Sequence, residues 1–174
     1  MPGSEMAQAT IFHMLCNSTL GINRLFLSVL ILQPTGLYEY KLIGTLRAPP
    51  DILADICMDL GCIRRRVPQV TEAYETECNG ETVTYMKMEF PFLFSSRDCV
   101  YVKQRRELDF RGQKIQVVLA KGTSLPQFPK RSGFVRVSQC QVKLAVESAG
   151  SNQSKGKMKA AVGVLVCPVK AALM

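Results

Sequence analysis

Asn79-Gly80 stands between two alternating apolar and polar runs, and nothing else in the chain restricts its fold as strongly. The dipeptide supplies positive φ at both central positions of a type I′ turn, which predicts a tight antiparallel hairpin. The flanking strands are read at Val70–Cys78 and Glu81–Phe90. Two more alternating runs, Cys99–Leu108 and Lys114–Thr123, follow the polar corners Ser95–Asp98 and Asp109–Gln113. Leu37–Leu46 reads as an earlier strand and Gly133–Ser148 as a later one. A meander of this kind gives one face to a core and the other to water.

Pro49-Pro50-Asp51 predicts the start of a helix running to about Leu60, because proline fits the first turn and an acid favours the positive end of the dipole. Ile52, Leu53, Ile56 and Leu60 would form its apolar stripe, and Gly61 would end it. Cys62–Pro68 then reads as a basic loop, and Ala149–Lys155 as a small, polar one. Leu25–Leu32 is too short to span a bilayer and reads as a buried strand or helix. Strands in succession with one early helix indicate an α+β fold.

Composition narrows the chemistry. A length of 174 residues fits one domain, and 47% apolar against 21% charged residues is globular. The net charge of +8 favours anionic partners such as a membrane surface, nucleic acid or acidic proteins. Seven cysteines are scattered without a CxxC pair, and His13 is the sole histidine. Zinc requires clustered ligands, so no metal is expected and the cysteines read as free thiols of a cytoplasmic protein. No nucleophile elbow, phosphate loop or Cys–His arrangement is present, so neither enzymatic activity nor a cofactor is expected. No nucleic-acid motif appears, and the aromatics do not interleave with the basic residues as a stacking sheet requires.

Six words carry a resemblance: Gly36-Leu-Tyr-Glu-Tyr-Lys41, Leu53-Ala-Asp-Ile56, Glu77-Cys-Asn-Gly-Glu-Thr82, Ser96-Arg-Asp98, Gln104-Arg-Arg106 and Arg131-Ser-Gly133. In this order and spacing the chain resembles the START (StAR-related lipid transfer) family. The resemblance divides the chain into a divergent segment at 1–35, a START-like lipid-binding domain at 36–150, and a divergent basic and apolar tail at 151–174. It implies the helix-grip fold, in which a curved antiparallel sheet wraps a long C-terminal helix. That helix has no counterpart after about Gly150, so the grip is expected to be incomplete.

The resemblance also implies a phosphocholine site, whose positions here carry altered chemistry. A tyrosine of the family pattern falls at Cys57. The phosphate-binding arginine falls at Ile63 and its carboxylate partner at Val67. The aromatic cage falls at Met86, Cys99 and Cys140, and a glutamine contact at Val142. Aromatic and charged groups have become apolar and soft. Arg64, beside the missing arginine, is the candidate phosphate contact. Tyr85 and Tyr101 remain, and strand alternation is read as keeping both off the face of the lost cage positions. Asp98 is expected in a structural Arg–Asp or turn contact, and Arg105 or Arg106 in a cross-strand pair with Glu77 or Glu81.

The function implied is non-enzymatic binding and transfer of phosphatidylcholine or a less polar lipid, with transient contact at a membrane surface and weak headgroup choice. Two rivals are an interaction module that binds a protein partner through an exposed apolar sheet face, and a basic nucleic-acid binder.

Overall fold

The computed structural model describes residues 22–32, 38–46, 48–90, 95–138, 140–148 and 156–163; the first, second and last of these ranges are described as backbone strands alone. The elements are β1 (Ile22–Leu32), β2 (Tyr38–Leu46), α1 (Pro50–Met58), α2 (Leu60–Arg66), β3 (Val70–Cys78), β4 (Glu81–Met88), β5 (Ser96–Phe110), β6 (Gln113–Gly122), β7 (Phe134–Val137), β8 (Gln141–Ser148) and β9 (Gly156–Gly163). The strands form one curved, open sheet in the order β1-β2-β9-β8-β6-β5-β4-β3. All these neighbours pair antiparallel.

The two tight turns have the backbone the sequence demanded. Asn79 and Gly80 sit at φ 54° and 80°, so β3 and β4 pair from Cys78↔Glu81 outward. Arg111 and Gly112 repeat the arrangement at φ 56° and 75°, and the Asp109 carboxylate accepts a 3.0 Å bond from the Gly112 amide. Both turns match the right-handed twist of the strands they join.

Gly133–Ser148, read as one strand, is two. β7 pairs parallel with residues 96–99 of β5, whereas β8 pairs antiparallel with β6. The cause lies in the length of β5. Its residues 101–110 are bonded to β6, which leaves the same edge open over 96–99 for β7. That extra pairing also starts β5 at Ser96, inside the segment read as a polar corner.

The helical region departs from expectation as well. Asp59, rather than Gly61, ends α1, and its side chain accepts a 3.0 Å bond from the Cys62 amide to start α2. The expected basic loop is therefore a helix. Leu60, Ile63 and Val67 recur at helical spacing and pack toward one core cluster, while Arg64 and Arg65 stay in solvent. In α1 the buried residues are Leu53 and Ala54, and Ile52 is exposed.

α1 lies against β5, β6 and β8, and α2 against β3. The helical side of the sheet is thus its inner face. Lys103 and Arg105, two residues apart on β5, fasten the helix: Lys103 donates to the Met58 carbonyl at the end of α1, and Arg105 binds Asp55. A cation at the last carbonyls of a helix is favoured by its dipole. The expected partners of Arg105 and Arg106 are not the observed ones. Arg105 points to the helix and Gln116, and Arg106 bonds Gln104 at 3.2 Å.

Candidate functional site: the inner face of the sheet

Strand alternation sorts the middle of the sheet into two apolar clusters. The outer cluster holds Val83, Tyr85, Val100 and Phe128, with Leu125 and Val102 beside them. Tyr74, Tyr85 and Phe128 form an aromatic group, with Tyr85 and Phe128 stacked at 6.0 Å and Tyr74 tilted against Tyr85 at 5.1 Å. Burial first, then the Asp98 charge, pushes the Tyr85 hydroxyl up to about 12. Phe128 belongs to the connection from β6 to β7, so the outer face is roofed by its own chain.

Arg136 and Asp98 lock that roof. The guanidinium forks onto the carboxylate at 2.8 Å on both arms, and also donates to the carbonyls of Phe128 and Pro129. Both side chains are buried. The carboxylate bonds hold the Arg136 pKa above its ordinary value. Asp98 was expected to serve structure, and it does. Its partner comes from a distant strand because Arg97, its neighbour, points to the other face.

The inner cluster contains Val67, Val70, Ala73, Met86, Met88, Cys99, Tyr101, Val137 and Cys140, with Leu60, Ile63, Phe90, Ala120 and Val142 against it. Six of the seven positions singled out from the sequence meet here: Ile63 from α2, Val67 at its C-cap, Met86 from β4, Cys99 from β5, Cys140 before β8, and Val142 on β8. Register explains the convergence. Ala73, Met86, Cys99 and Val137 form one row across β3, β4, β5 and β7, and Val142 faces Ala120. Gly122 lets Cys140 approach: an added Cβ would lie 3.1 Å from the Ser138 carbonyl oxygen and 3.2 Å from the Cys140 amide.

The seventh position, Cys57, lies near the end of α1 outside this cluster. Arg64 is exposed and does not reach the cluster. Tyr101 corrects the reading from sequence. It stands two residues from Cys99, so it shares the inner face with it, while Tyr85 does face outward. The period of two in β5 already contained that signal. Burial drives the Cys99 thiol and Tyr101 hydroxyl far upward, and those of Cys57 and Cys140 to about 11. These groups are neutral at physiological pH, and the cluster is chemically an apolar lining with one phenol.

Arg97 was not singled out as a site residue. It sits opposite Met88 in the ladder, two residues before Cys99, and is buried. Its guanidinium lies 5.1 Å from the Phe90 ring centroid, and Nη1 donates to the Ser95 carbonyl at 3.2 Å. Among the described residues its buried Nε has no hydrogen-bond partner.

An open antiparallel sheet that holds helices over an apolar inner face is the architecture of helix-grip lipid-binding domains. The START domain model matches residues 28–158, and the chain belongs to the START domain family. Among curated relatives, the phosphatidylcholine transfer protein of Bos taurus is 52% identical over 124 residues, covering 71% of this chain and 58% of the relative. Its Homo sapiens counterpart is 51% identical with the same coverage of 71% and 58%. The chain therefore spans 58% of the length of these curated relatives. Among solved structures, human StAR-related lipid transfer protein 5 superposes with a TM-score of 0.62 at 16% identity, over 95% of this chain and 85% of that one. Human STARD10 gives 0.63 at 17%, over 87% and 64%. At these identities the likeness defines the fold.

Proposed function

We propose that this chain is a non-enzymatic lipid carrier whose inner sheet face receives a phospholipid or a less polar lipid. The observation that carries this reading is the meeting of Ile63, Val67, Met86, Cys99, Cys140 and Val142 on one apolar face within the START match. The printed names of the relatives at about half identity point the same way. Transfer requires no covalent step. Acyl chains leave water for an apolar lining, with about 0.8 kcal/mol per buried CH₂ as the driving term.

The lipid-binding unit is residues 36–150, with the strand at 22–32 on the edge of its sheet and the strand at 156–163 between β2 and β8. Cys57 and Arg64 serve at its margin, the former beside the end of α1 and the latter in solvent. Exchange takes place during transient contact with a cytoplasmic membrane surface, and the +8 charge favours anionic membranes. Among the described residues no helix is long and apolar enough to cross a membrane.

Headgroup choice for choline is weak in this reading. A quaternary ammonium is recognised by aromatic faces, and the cage positions hold Met86, Cys99 and Cys140. The test is a native mass spectrum of the purified chain with lipid extraction, followed by transfer of fluorescent phospholipid between vesicles. Stoichiometric lipid and protein-dependent transfer are expected. A lipid-free protein that extracts nothing from vesicles would refute the proposal.

A further inference from the structure

We propose that Arg97 anchors the oxyanion of an acidic lipid, so that the carrier favours anionic over uncharged headgroups. The inference rests on the lipid-carrier reading above and names the lipid class. Arg97 is 8% exposed, on the inner face beside Met88 and Phe90. Among the described residues Arg97 has no carboxylate partner, and the Ser95 carbonyl and the Phe90 ring offset only part of the desolvation cost of a buried cation.

Every other cation on the inner row of β5 has an acid. Lys103 pairs with Glu75 at 2.8 Å, and Arg105 with Asp55. Neither acid can serve Arg97: Lys103 is six residue steps along the strand, roughly 20 Å away. Asp98 is turned to the outer face and is saturated by Arg136. The residues between Phe90 and Ser95 are Pro91-Phe-Leu-Phe94 and bring no carboxylate in sequence.

What remains, among the described residues, is a guanidinium whose Nε has no partner, at the edge of an apolar cluster and over an aromatic ring. The Nε side of a guanidinium is the edge that forks onto a carboxylate or phosphate. A phosphate monoester or carboxylate carried by a lipid would supply the missing charge while its chains lie on the adjacent apolar face. Ile63 and Val67, by contrast, offer no polar group.

Calorimetry on the full chain with dioctanoyl phosphatidic acid, dioctanoylglycerol and inorganic phosphate tests this, with R97Q and R97K as variants. Phosphatidic acid should bind roughly tenfold or more tightly than the uncharged diacylglycerol. R97Q should lose about 10- to 100-fold of affinity for phosphatidic acid, the equivalent of one charge-assisted contact. Its diacylglycerol affinity should not change, and R97K should fall between. The urea midpoint of unliganded R97Q should equal or exceed that of the wild type, because a buried unpaired charge has gone. Equal affinity for both lipids would overturn the inference and leave the lipid-carrier reading standing. A lowered urea midpoint with loss of both lipids would also overturn it, since Arg97 would then be structural. Inorganic phosphate binding as tightly as phosphatidic acid would overturn the lipid as the source of the anion. Binding of neither lipid would refute the carrier reading itself, and this inference with it.

Discussion

Asp98→Asn isolates the largest electrostatic commitment among the described residues. The carboxylate is fully buried and receives two 2.8 Å bonds from Arg136, plus a longer 3.4 Å bond from the Tyr85 hydroxyl. Asparagine keeps the shape, removes the charge and turns an amide donor toward a guanidinium that also only donates. Arg136 would then be a buried cation held only by neutral acceptors, one amide oxygen in place of the carboxylate and the Phe128 and Pro129 carbonyls. Removing one member of a buried pair costs about 3–5 kcal/mol. Set against a typical total of ~5–15 kcal/mol, this is a large fraction of the stability. For a chain of this size it corresponds to a fall in Tm of roughly 6–20 °C. Urea denaturation of D98N, R136M and the double variant would measure both the single costs and their coupling. The double variant should be less damaged than the sum of the singles by about 2 kcal/mol or more, because it leaves no unpaired charge. A cost below about 1 kcal/mol for D98N, or additive single effects, would refute the view that this fork locks the outer face.

The remaining expectations concern the inner face and the titrating groups. In vesicle extraction the chain should prefer phosphatidylcholine to phosphatidylethanolamine by less than roughly tenfold, and a larger preference would contradict the loss of the cage at Met86, Cys99 and Cys140. Thiol titration with a chromogenic disulfide at neutral pH should leave Cys99 and Cys140 unmodified until denaturant is added, because both are buried and burial raises their thiols; rapid labelling of Cys99 in the native state would show that the cluster opens. Raised thiol and phenol pKa values contribute stability that is fully present below their unfolded values and lost as pH rises through the folded ones. With ordinary values of 9.0 for cysteine and 10.0 for tyrosine, and folded values of about 11 for Cys57 and Cys140 and about 12 for Tyr85, the urea midpoint should decline between pH 9 and pH 12. Phenolate absorbance should rise steeply together with unfolding, and reversible ionisation of Tyr85 near pH 10 in the native state would contradict its burial.

The sequence determined the central hairpin and the faces of its strands almost by itself, but not the split at 133–148 or the place of β9 between β2 and β8. Asn79-Gly80 admits one kind of turn, and a period of two assigns each strand residue to a face. Because register follows from the turn, Ala73 opposite Met86 was implicit in the sequence, as was Tyr101 sharing a face with Cys99, while the Met86–Cys99 pairing was set by the sheet. Local signals failed where tertiary contact outweighed them. The Arg64-Arg65-Arg66 run looks like a solvated loop, yet Leu60, Ile63 and Val67 bury one side of it and Asp59 caps it. Charge hides that stripe from a reading by composition, and only the sheet beneath supplies the burial that makes so short a helix hold.

Partners distant in sequence were decided by the tertiary structure alone. Strand alternation turns Arg97 away from Asp98, but nothing in the strand pattern says that Arg136 is what reaches it. That follows from β7 pairing with the edge of β5 left open by β6, which puts the two side chains on one face. The same geometry leaves Arg97 buried on the other face. A sequence lists charges, but whether a charge is neutralised depends on which strands come to lie side by side.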